Sequence, residues 1–418
     1  MTLSLNKASS ANLKNDLETI NTFNSTPGEG TTRVLFTPEE LEARAYVKNR
    51  MEELGMTVYE DAIGNIFGKL PGSNPSLSPV WTGSHIDTVL HGGQFDGMAG
   101  VVSGLEAIRL IKESGLPRKR NIEVIVFTSE EPTRFGLGCI GSRALAGKLT
   151  LADTAQLLDD TGKSLKDLLN DLDYDETKFP LIQKKKGDVF AFVELHIEQA
   201  EILESLQIPV GIVTTISAPT ELEVSVYGRQ QHAGSTTMEQ RSDAMVAAAE
   251  IVTTVEKFAK EFLEPSTVAT IGKLNVYPNS SNVIPGKVVF TIDIRSSRMD
   301  DKNVFLAELK EYFQKLQEQR SISIDAELIC HDAPADAAPR ILNLIENACQ
   351  NHYLPYHKMI SGAFHDAMMV AQFAPFGMIF VPSKDGISHD KREWTDYEDI
   401  AKGTDVLAEV LYKLSCED

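Results

Sequence analysis

The feature that most restricts how this chain can fold is the spacing of its apolar residues, which gather into short runs separated by longer segments of helical periodicity. Val80-Trp81-Thr82, Ile122-Glu123-Val124-Ile125-Val126-Phe127 and Phe192-Val193-Glu194-Leu195 read as strands, and a helical pattern from about Gly97 to Lys112 lies between the first two. Upstream, Thr37 caps a helix with an acidic first turn that runs to about Gly55. Such alternation predicts helices layered on a sheet, the α/β class. It is interrupted once. From about Gly211 to Leu328 the order is strand 222–227, helix 242–262, strand 268–276, strand 287–294, helix 302–318 and strand 322–328. This βαββαβ order is the split arrangement of a small α+β sandwich. After Ala338 the α/β pattern resumes with a helix, the strand Met378-Ile379-Phe380-Val381 and a terminal helix from Asp396 to about Leu414. The expectation is an α/β domain formed by residues 1–211 and 329–418, with an inserted α+β domain at 212–328. A length of 418 residues, more than one hydrophobic core usually serves, agrees with two domains.

Charge narrows the partners. The formal net charge of −20 is spread along the chain, which disfavours nucleic acid and anionic membrane surfaces. The opening Met1-Thr2-Leu3-Ser4-Leu5-Asn6-Lys7 lacks the apolar core of a signal peptide, and no stretch approaches the roughly 20 apolar residues of a membrane span. A cytoplasmic protein is expected. Cys139, Cys330, Cys349 and Cys416 are far apart and form no CxxC pair, so neither a disulfide framework nor a thiolate zinc site is suggested. Any metal must be held by histidine and carboxylate.

Four short segments carry that chemistry. Gly83-Ser84-His85-Ile86-Asp87-Thr88 follows a strand and is succeeded by Gly92-Gly93-Gln94-Phe95-Asp96-Gly97 at the start of a helix. A histidine at a strand's carboxyl end faces the crevice where open α/β sheets bind ligands. Asp87 is placed to accept the other imidazole N–H and fix the tautomer. Thr128-Ser129-Glu130-Glu131-Pro132 leaves the strand at 122–127, and its adjacent carboxylates diverge, so that one can ligate while its neighbour reaches a water. Glu194-Leu195-His196-Ile197-Glu198-Gln199 and Gly386-Ile387-Ser388-His389 also sit at or just beyond strand ends. Alone, His-x-Asp is more often a satisfied buried histidine beside a turn aspartate, and Glu-Glu more often a solvated loop. Together, His85, Asp96, Glu131, His196 and His389 make the inventory of a dinuclear site. With Asp96 as bridge they would hold two divalent ions about 3.5–4 Å apart. Nitrogen and oxygen donors suit Zn, Mn, Co or Ni without choosing among them. None of these candidates falls between Gly211 and Leu328, which agrees with an insertion.

The ordered motifs resemble the M20 metallopeptidase family in its hydantoinase/carbamoylase branch. The similarity runs from Asp61-Ala62-Ile63-Gly64-Asn65 through Gly83 to Gly97, Glu130-Glu131, Glu194 to Gln199, His232-Ala233-Gly234, Asn279 to Gly286, Gly362 to Ala367, and His389. The resemblance implies that His85, Asp96, Glu131, His196 and His389 ligate two metal ions, that Asp96 bridges them, and that Glu130 is the base that deprotonates the attacking water. It also implies that His232, Asn282 and Arg295 reach the substrate from a lid domain, and it places Gln199 and His365 on the substrate side. His365 reads alternatively as a turn anchor. Arg295, at the end of Thr291-Ile292-Asp293-Ile294-Arg295, offers a planar fork for a substrate carboxylate, a pair worth roughly 1.5–3 kcal/mol. His232 could donate to the developing oxyanion. His91, His331, His352 and His357 have no such context. A homodimer through the inserted domain is expected by resemblance.

Three departures bear on the substrate. Ser217-Ala218-Pro219-Thr220-Glu221 stands where allantoate-cleaving members commonly carry Gln-Arg-Arg, which makes allantoate less suitable. Phe364 stands where glycine is usual, and Thr237-Met238 replaces a common Thr-Pro-Met. The function expected is hydrolysis of the carbamoyl C–N bond of an N-carbamoyl-L-amino acid or close analogue. The rivals are an allantoate amidohydrolase, an aminoacylase, a dipeptidase, an amino-acid-conjugate hydrolase and, from another class, a non-catalytic binding homologue.

Overall fold

The computed structural model describes residues 5–261 and 267–418. The first four residues of the opening segment, and the last residue of the helix expected at 242–262, lie outside them. The chain divides into two compact units, one of residues 1–214, 336–359 and 365–418, the other of residues 215–335 and 360–364.

The first unit is built on a nine-stranded mixed sheet. Its centre is four parallel strands in the order Ile122–Phe127, Val80–His85, Ala191–Ile197 and Phe376–Val381. Every residue of these four strands is buried, as expected when helices cover both faces of parallel strands. Antiparallel strands flank them: Ile66–Leu70 beside 122–127, and Val210–Ile216 beside 376–381. The helix Met98–Glu113 connects 80–85 to 122–127, and its Val101, Leu105 and Ile108 share a core with Val406, Leu407 and Val410 of the terminal helix Tyr397–Cys416. The parallel register pairs His85 with Phe127 and Phe380 with His196, so the carboxyl ends lie side by side. Among the described residues no helix is long and apolar enough to cross a membrane.

The second unit is an antiparallel sheet in the order Leu274–Tyr277, Lys287–Ser296, Ala218–Tyr227 and Ser323–His331. Alternate residues of the two long strands are buried, and Val224, Val226, Phe290 and Ile292 share a core with Ile251 of helix Ala244–Glu261 and Phe305 and Leu309 of helix Met299–Arg320. One expected strand differs. The run 268–276 is two pieces, Val268–Thr270 and Leu274–Tyr277, both paired with 287–296. Between the pairs Thr270–Asp293 and Leu274–Phe290, residues 271–273 oppose only 291–292, so one extra residue breaks the ladder as a bulge does. The limits of this unit also differ from 212–328. The last strand continues through a bulge to His331, opposite Thr220, and the Ser217 N–H donates to the Ser361 carbonyl, bringing 360–364 into the unit.

Candidate metal centre

The carboxyl ends of the parallel strands deliver the first unit's candidate residues to one place. His85 ends its strand, and its Nδ1–H donates to the Asp87 backbone carbonyl at 3.0 Å, which leaves Nε2 as a lone-pair donor facing Asp96 and Glu130, each 3.7 Å away. His196 is held the same way: Nδ1–H donates to the Ile197 carbonyl at 2.9 Å, and Nε2, which accepts the Gly97 N–H at 3.3 Å, lies 3.1 Å from Asp96 Oδ1. His389, half-exposed and at a φ of 57°, brings Nε2 to 3.0 Å from Asp96 Oδ2 and 3.3 Å from Glu131 Oε1. Asp96 therefore presents one carboxylate oxygen to His85 and His196 and the other to His389 beside Glu131. Gly97 makes this possible: its φ is 69°, and a Cβ there would collide with the His85 ring.

The expected partner of the His85 imidazole proton needs correcting. The Asp87 carboxylate stays 3.7 Å from Nδ1 and instead accepts the Glu130 and Glu131 N–H groups at 3.2 and 3.0 Å. Two adjacent amides turned the same way outcompete a ring N–H that already has the Asp87 carbonyl. Asp87 thus shapes the turn that carries both glutamates. Asn65, from the Asp61–Asn65 motif, supports the same turn through its Oδ1, which accepts the Thr128 N–H at 2.9 Å, while its amide donates to Asp61 at 2.8 Å.

Electrostatics mark the centre as a place that wants positive charge. Burial opposes a charged imidazole at His85 and His196, yet the surrounding carboxylates, Glu130 and Asp96 at the first and Asp96 and Glu194 at the second, raise both above the usual histidine range. Hydrogen bonding to Asp96 and Glu131 pushes His389 up to about 11. Burial favours the protonated form of Asp96, but the three imidazoles outweigh it and hold that carboxyl well below its ordinary range. Burial drives the buried Glu130 carboxyl well above the usual range against the pull of His85, and Glu131 pushes the same way.

Divalent ions fit this donor set. With Nδ1–H of His85 and His196 committed to carbonyls, acceptor atoms face acceptor atoms, an arrangement that a cation between them stabilises. Among the described residues, His85–Asp96–His196 and Asp96–Glu131–His389 are groups able to hold an ion, and Glu194–His196–His365 is a third.

Gln199 and His365 come to the same place. The Gln199 amide donates to Asp96 Oδ2 at 2.8 Å, and its Oε1 is buried without a partner among the described residues. His365 is buried with its ring 4.4 Å from that of His196. His232, Asn282 and Arg295 belong to the second unit. There His232 opposes Val283 in a short two-strand pairing, next to Asn282, whose carbonyl accepts the Ala233 N–H at 2.9 Å. His232 Nδ1 accepts the Gly234 and Ser235 N–H groups at 3.1 and 3.2 Å, which fixes the tautomer with Nε2–H free to donate from an exposed ring. Arg295 pairs with Asp293 at 3.0 Å, and its guanidinium lies 5.6 Å from the centre of the Phe364 ring. Sequence reasoning did not single out Glu393, whose buried carboxyl reaches the Asp96 loop. Its only signal was its position four residues after His389.

Fold and donor set define an α/β protein with a candidate centre for two divalent ions at the carboxyl edge of its parallel strands. The model of Peptidase family M20/M25/M40 matches residues 76–413, and the chain belongs to that family. It is 40% identical to a ureidoglycolate hydrolase of Arabidopsis thaliana, over 99% of this chain and 89% of that protein. It is 37% identical to an N-carbamoyl-L-amino-acid amidohydrolase of Paenarthrobacter aurescens, over 99% of this chain and all of that one (100%). A crystal structure of AtUAH in complex with glyoxylate superposes with a TM-score of 0.91 at 39% identity, covering 99% of each chain.

Proposed function

We propose that this chain hydrolyses the carbamoyl C–N bond of a small ureido acid, an N-carbamoyl-L-amino acid or a close analogue, with two divalent ions held by His85, Asp96, Glu131, His196 and His389. The observation that carries this reading is the Asp96 carboxylate, whose two oxygens face separate donor sets at 3.1 and 3.0 Å. Bound there, the ions would lower the pKa of a water towards about 7 and polarise the carbamoyl carbonyl. The rest falls to side chains. Glu130 is buried, with a carboxyl oxygen 3.7 Å from His85 Nε2 while its neighbour Glu131 is turned to His389, so it is placed to take the proton of the attacking water and return it to the departing nitrogen. The turn set by Asp87 aims Glu130 and Glu131 in different directions, one to move a proton and one to ligate. The free Nε2–H of His232 is suited to the oxyanion and the Arg295 fork to the substrate carboxylate, with Asn282 as a further polar contact to the substrate. Gln199 and His365 would complete the substrate side. We further propose a cytoplasmic homodimer that pairs through the inserted unit.

Ureidoglycolate is itself a ureido acid, with a hydroxyl on the α-carbon where an N-carbamoyl amino acid has its side chain. The likeness to the ureidoglycolate hydrolase of Arabidopsis thaliana supports this second substrate within the same chemistry. The cation-free segment 217–221 argues against allantoate.

The test is release of ammonia from N-carbamoyl-L-amino acids, ureidoglycolate, allantoate, N-acyl amino acids and dipeptides, with amino-acid release followed in parallel. Mn- or Zn-loaded protein is compared with Glu130→Gln. Turnover of a ureido acid is expected to fall about 10²–10⁴-fold in the variant. Turnover confined to acyl or peptide substrates would contradict the substrate class, and silence across the panel would favour a binding protein.

A further inference from the structure

Two segments meet at the Asp96 carboxylate: the loop 92–97, which presents Asp96, and the loop after the strand 376–381, which presents His389. Glu393 lies on the second and reaches the first. Its side chain is 3% exposed. One carboxylate oxygen accepts the Phe95 N–H at 2.8 Å and the Asp96 N–H at 3.1 Å. The other lies 2.8 Å from Ser388 Oγ, which is 3.1 Å from Asp96 Oδ2. A single carboxyl thus grips the backbone of one metal-site loop and, through Ser388, the residue before His389, its own loop, with the one Ser388 hydroxyl proton shared between the Glu393 and Asp96 carboxylates as alternative acceptors.

The neighbouring residues show a built contact. A Cβ at position 93 would collide with the Glu393 carboxyl, so the Gly93 backbone lies directly against it. Phe95 and Trp394 pack edge to face with centroids 5.3 Å apart, which already joins the two loops by apolar contact. A carboxyl group is costly to bury unless it is fully hydrogen-bonded, and the apolar contact of the aromatic pair carries no such directional bonds. What the carboxyl adds is direction, because it fixes two successive amides and so the angle at which Asp96 leaves the chain.

We propose that Glu393 is the positioning residue of this centre, locking the Asp96 loop to the His389 loop and so setting affinity for the ion shared by Asp96, Glu131 and His389. The inference rests on the metal-centre reading above.

The experiment uses the whole chain, as parent, Glu393→Ala, Glu393→Gln and Ser388→Ala, stripped with chelator and titrated with Mn²⁺ by calorimetry. Amide hydrogen exchange across 92–97 is followed on the metal-free proteins. The alanine variant is expected to bind one ion about 10–100-fold more weakly, keep the other, and exchange the Phe95 and Asp96 amides faster. The glutamine variant, whose amide oxygen can still accept both N–H groups, is expected to restore most of the affinity and protection, a rescue that a purely space-filling role does not require. Ser388→Ala, the milder change if Glu393→Ala does not fold, is expected to weaken the same ion to a smaller degree. Parent-like binding in Glu393→Ala, or in Ser388→Ala where the former is unfolded, overturns the proposal. So does equal loss in the alanine and glutamine variants with parallel drops in melting temperature. A parent that binds no Mn²⁺ overturns the metal centre along with it, whereas two ions bound with parent-like affinities in the alanine variant overturn the clamp alone.

Discussion

At the scale of single residues, chemistry is assigned by what each polar atom has left to offer. His85 and His196 spend Nδ1–H on neighbouring carbonyls, which leaves Nε2 of each as an acceptor, facing Asp96 and Glu130 at His85 and taking the Gly97 N–H in a long 3.3 Å contact at His196 that an ion would replace. His232 does the reverse, spending Nδ1 as an acceptor and keeping Nε2–H as a donor. Arg295 is shaped by Phe364, because its guanidinium sits over that ring. A cation–π contact at an accessible site contributes about 0.5–1 kcal/mol. Phe364→Gly is therefore expected to raise KM for a carboxylate-bearing ureido acid about two- to fivefold, with kcat little changed, in steady-state assays. A fall in kcat at constant KM would show that Phe364 acts elsewhere.

At the scale of elements, the site is a set of strand ends and the turns that leave them. Asn65 illustrates how a residue outside the chemistry enters it, since its side chain is the acceptor for the Thr128 N–H at the root of the Glu130–Glu131 turn. Removing that acceptor leaves a buried N–H unpaired, a cost of about 1–3 kcal/mol. Asn65→Ala is expected to lose that much stability in urea unfolding and to lower kcat. Unchanged unfolding with unchanged kcat would contradict the role. A second element-level tie joins the helix Pro339–Asn351 to the terminal helix. Glu409, buried on the latter, accepts from Asn351 and Lys413, both at 2.6 Å, and lies 3.1 Å from His352 Nε2. Burial alone would raise its carboxyl, but His352, Lys413 and Asn351 outweigh it and bring it down to about 2. A carboxyl lower in the folded than in the unfolded chain stabilises above its ordinary pKa and loses that contribution as pH falls from about 4.5 through about 2. Glu409→Gln is expected to melt below the parent near neutral pH, and the gap should narrow steadily from pH 5 to pH 2. A gap independent of pH would refute the assignment.

These elements also show what could be read from the chain and what could not. The strands read at 80–82, 122–127 and 192–195 were legible because burial on both faces demands apolar residues, and a histidine or acid just beyond such a run is conspicuous; the structure extends the first to His85 and the third over 191–197. The site groups His85, Asp96, Glu131, His196 and His389 followed from that conspicuousness and from the resemblance. The true acceptor of the His85 proton was not legible, because His-x-Asp looks the same whether the aspartate offers its carboxylate or its carbonyl. Glu393 was hidden for a similar reason: a glutamate in a polar loop carries no mark of burial, and its partners are the backbone amides of residues distant in sequence. The break at 271–273 depends on a count against the neighbouring strand, which single-sequence periodicity does not contain.

At the scale of the whole molecule, a chain of net charge −20 gathers many carboxylates, and several of them converge within the first unit on three imidazoles. Ions at that point relieve the repulsion as well as serving the reaction, so stability and activity should respond together to metal, since a ligand that binds only the folded state raises its melting temperature. The most direct test of the central claim is to titrate chelator-stripped protein with Mn²⁺, counting bound ions per chain while following ammonia release from an N-carbamoyl-L-amino acid and from ureidoglycolate. Binding is expected to saturate at two ions per chain, with release from a ureido acid appearing as the sites fill and staying absent in Glu130→Gln despite equal metal content. Release that persists in the stripped protein, or a protein that binds no ion at the centre, would contradict the claim.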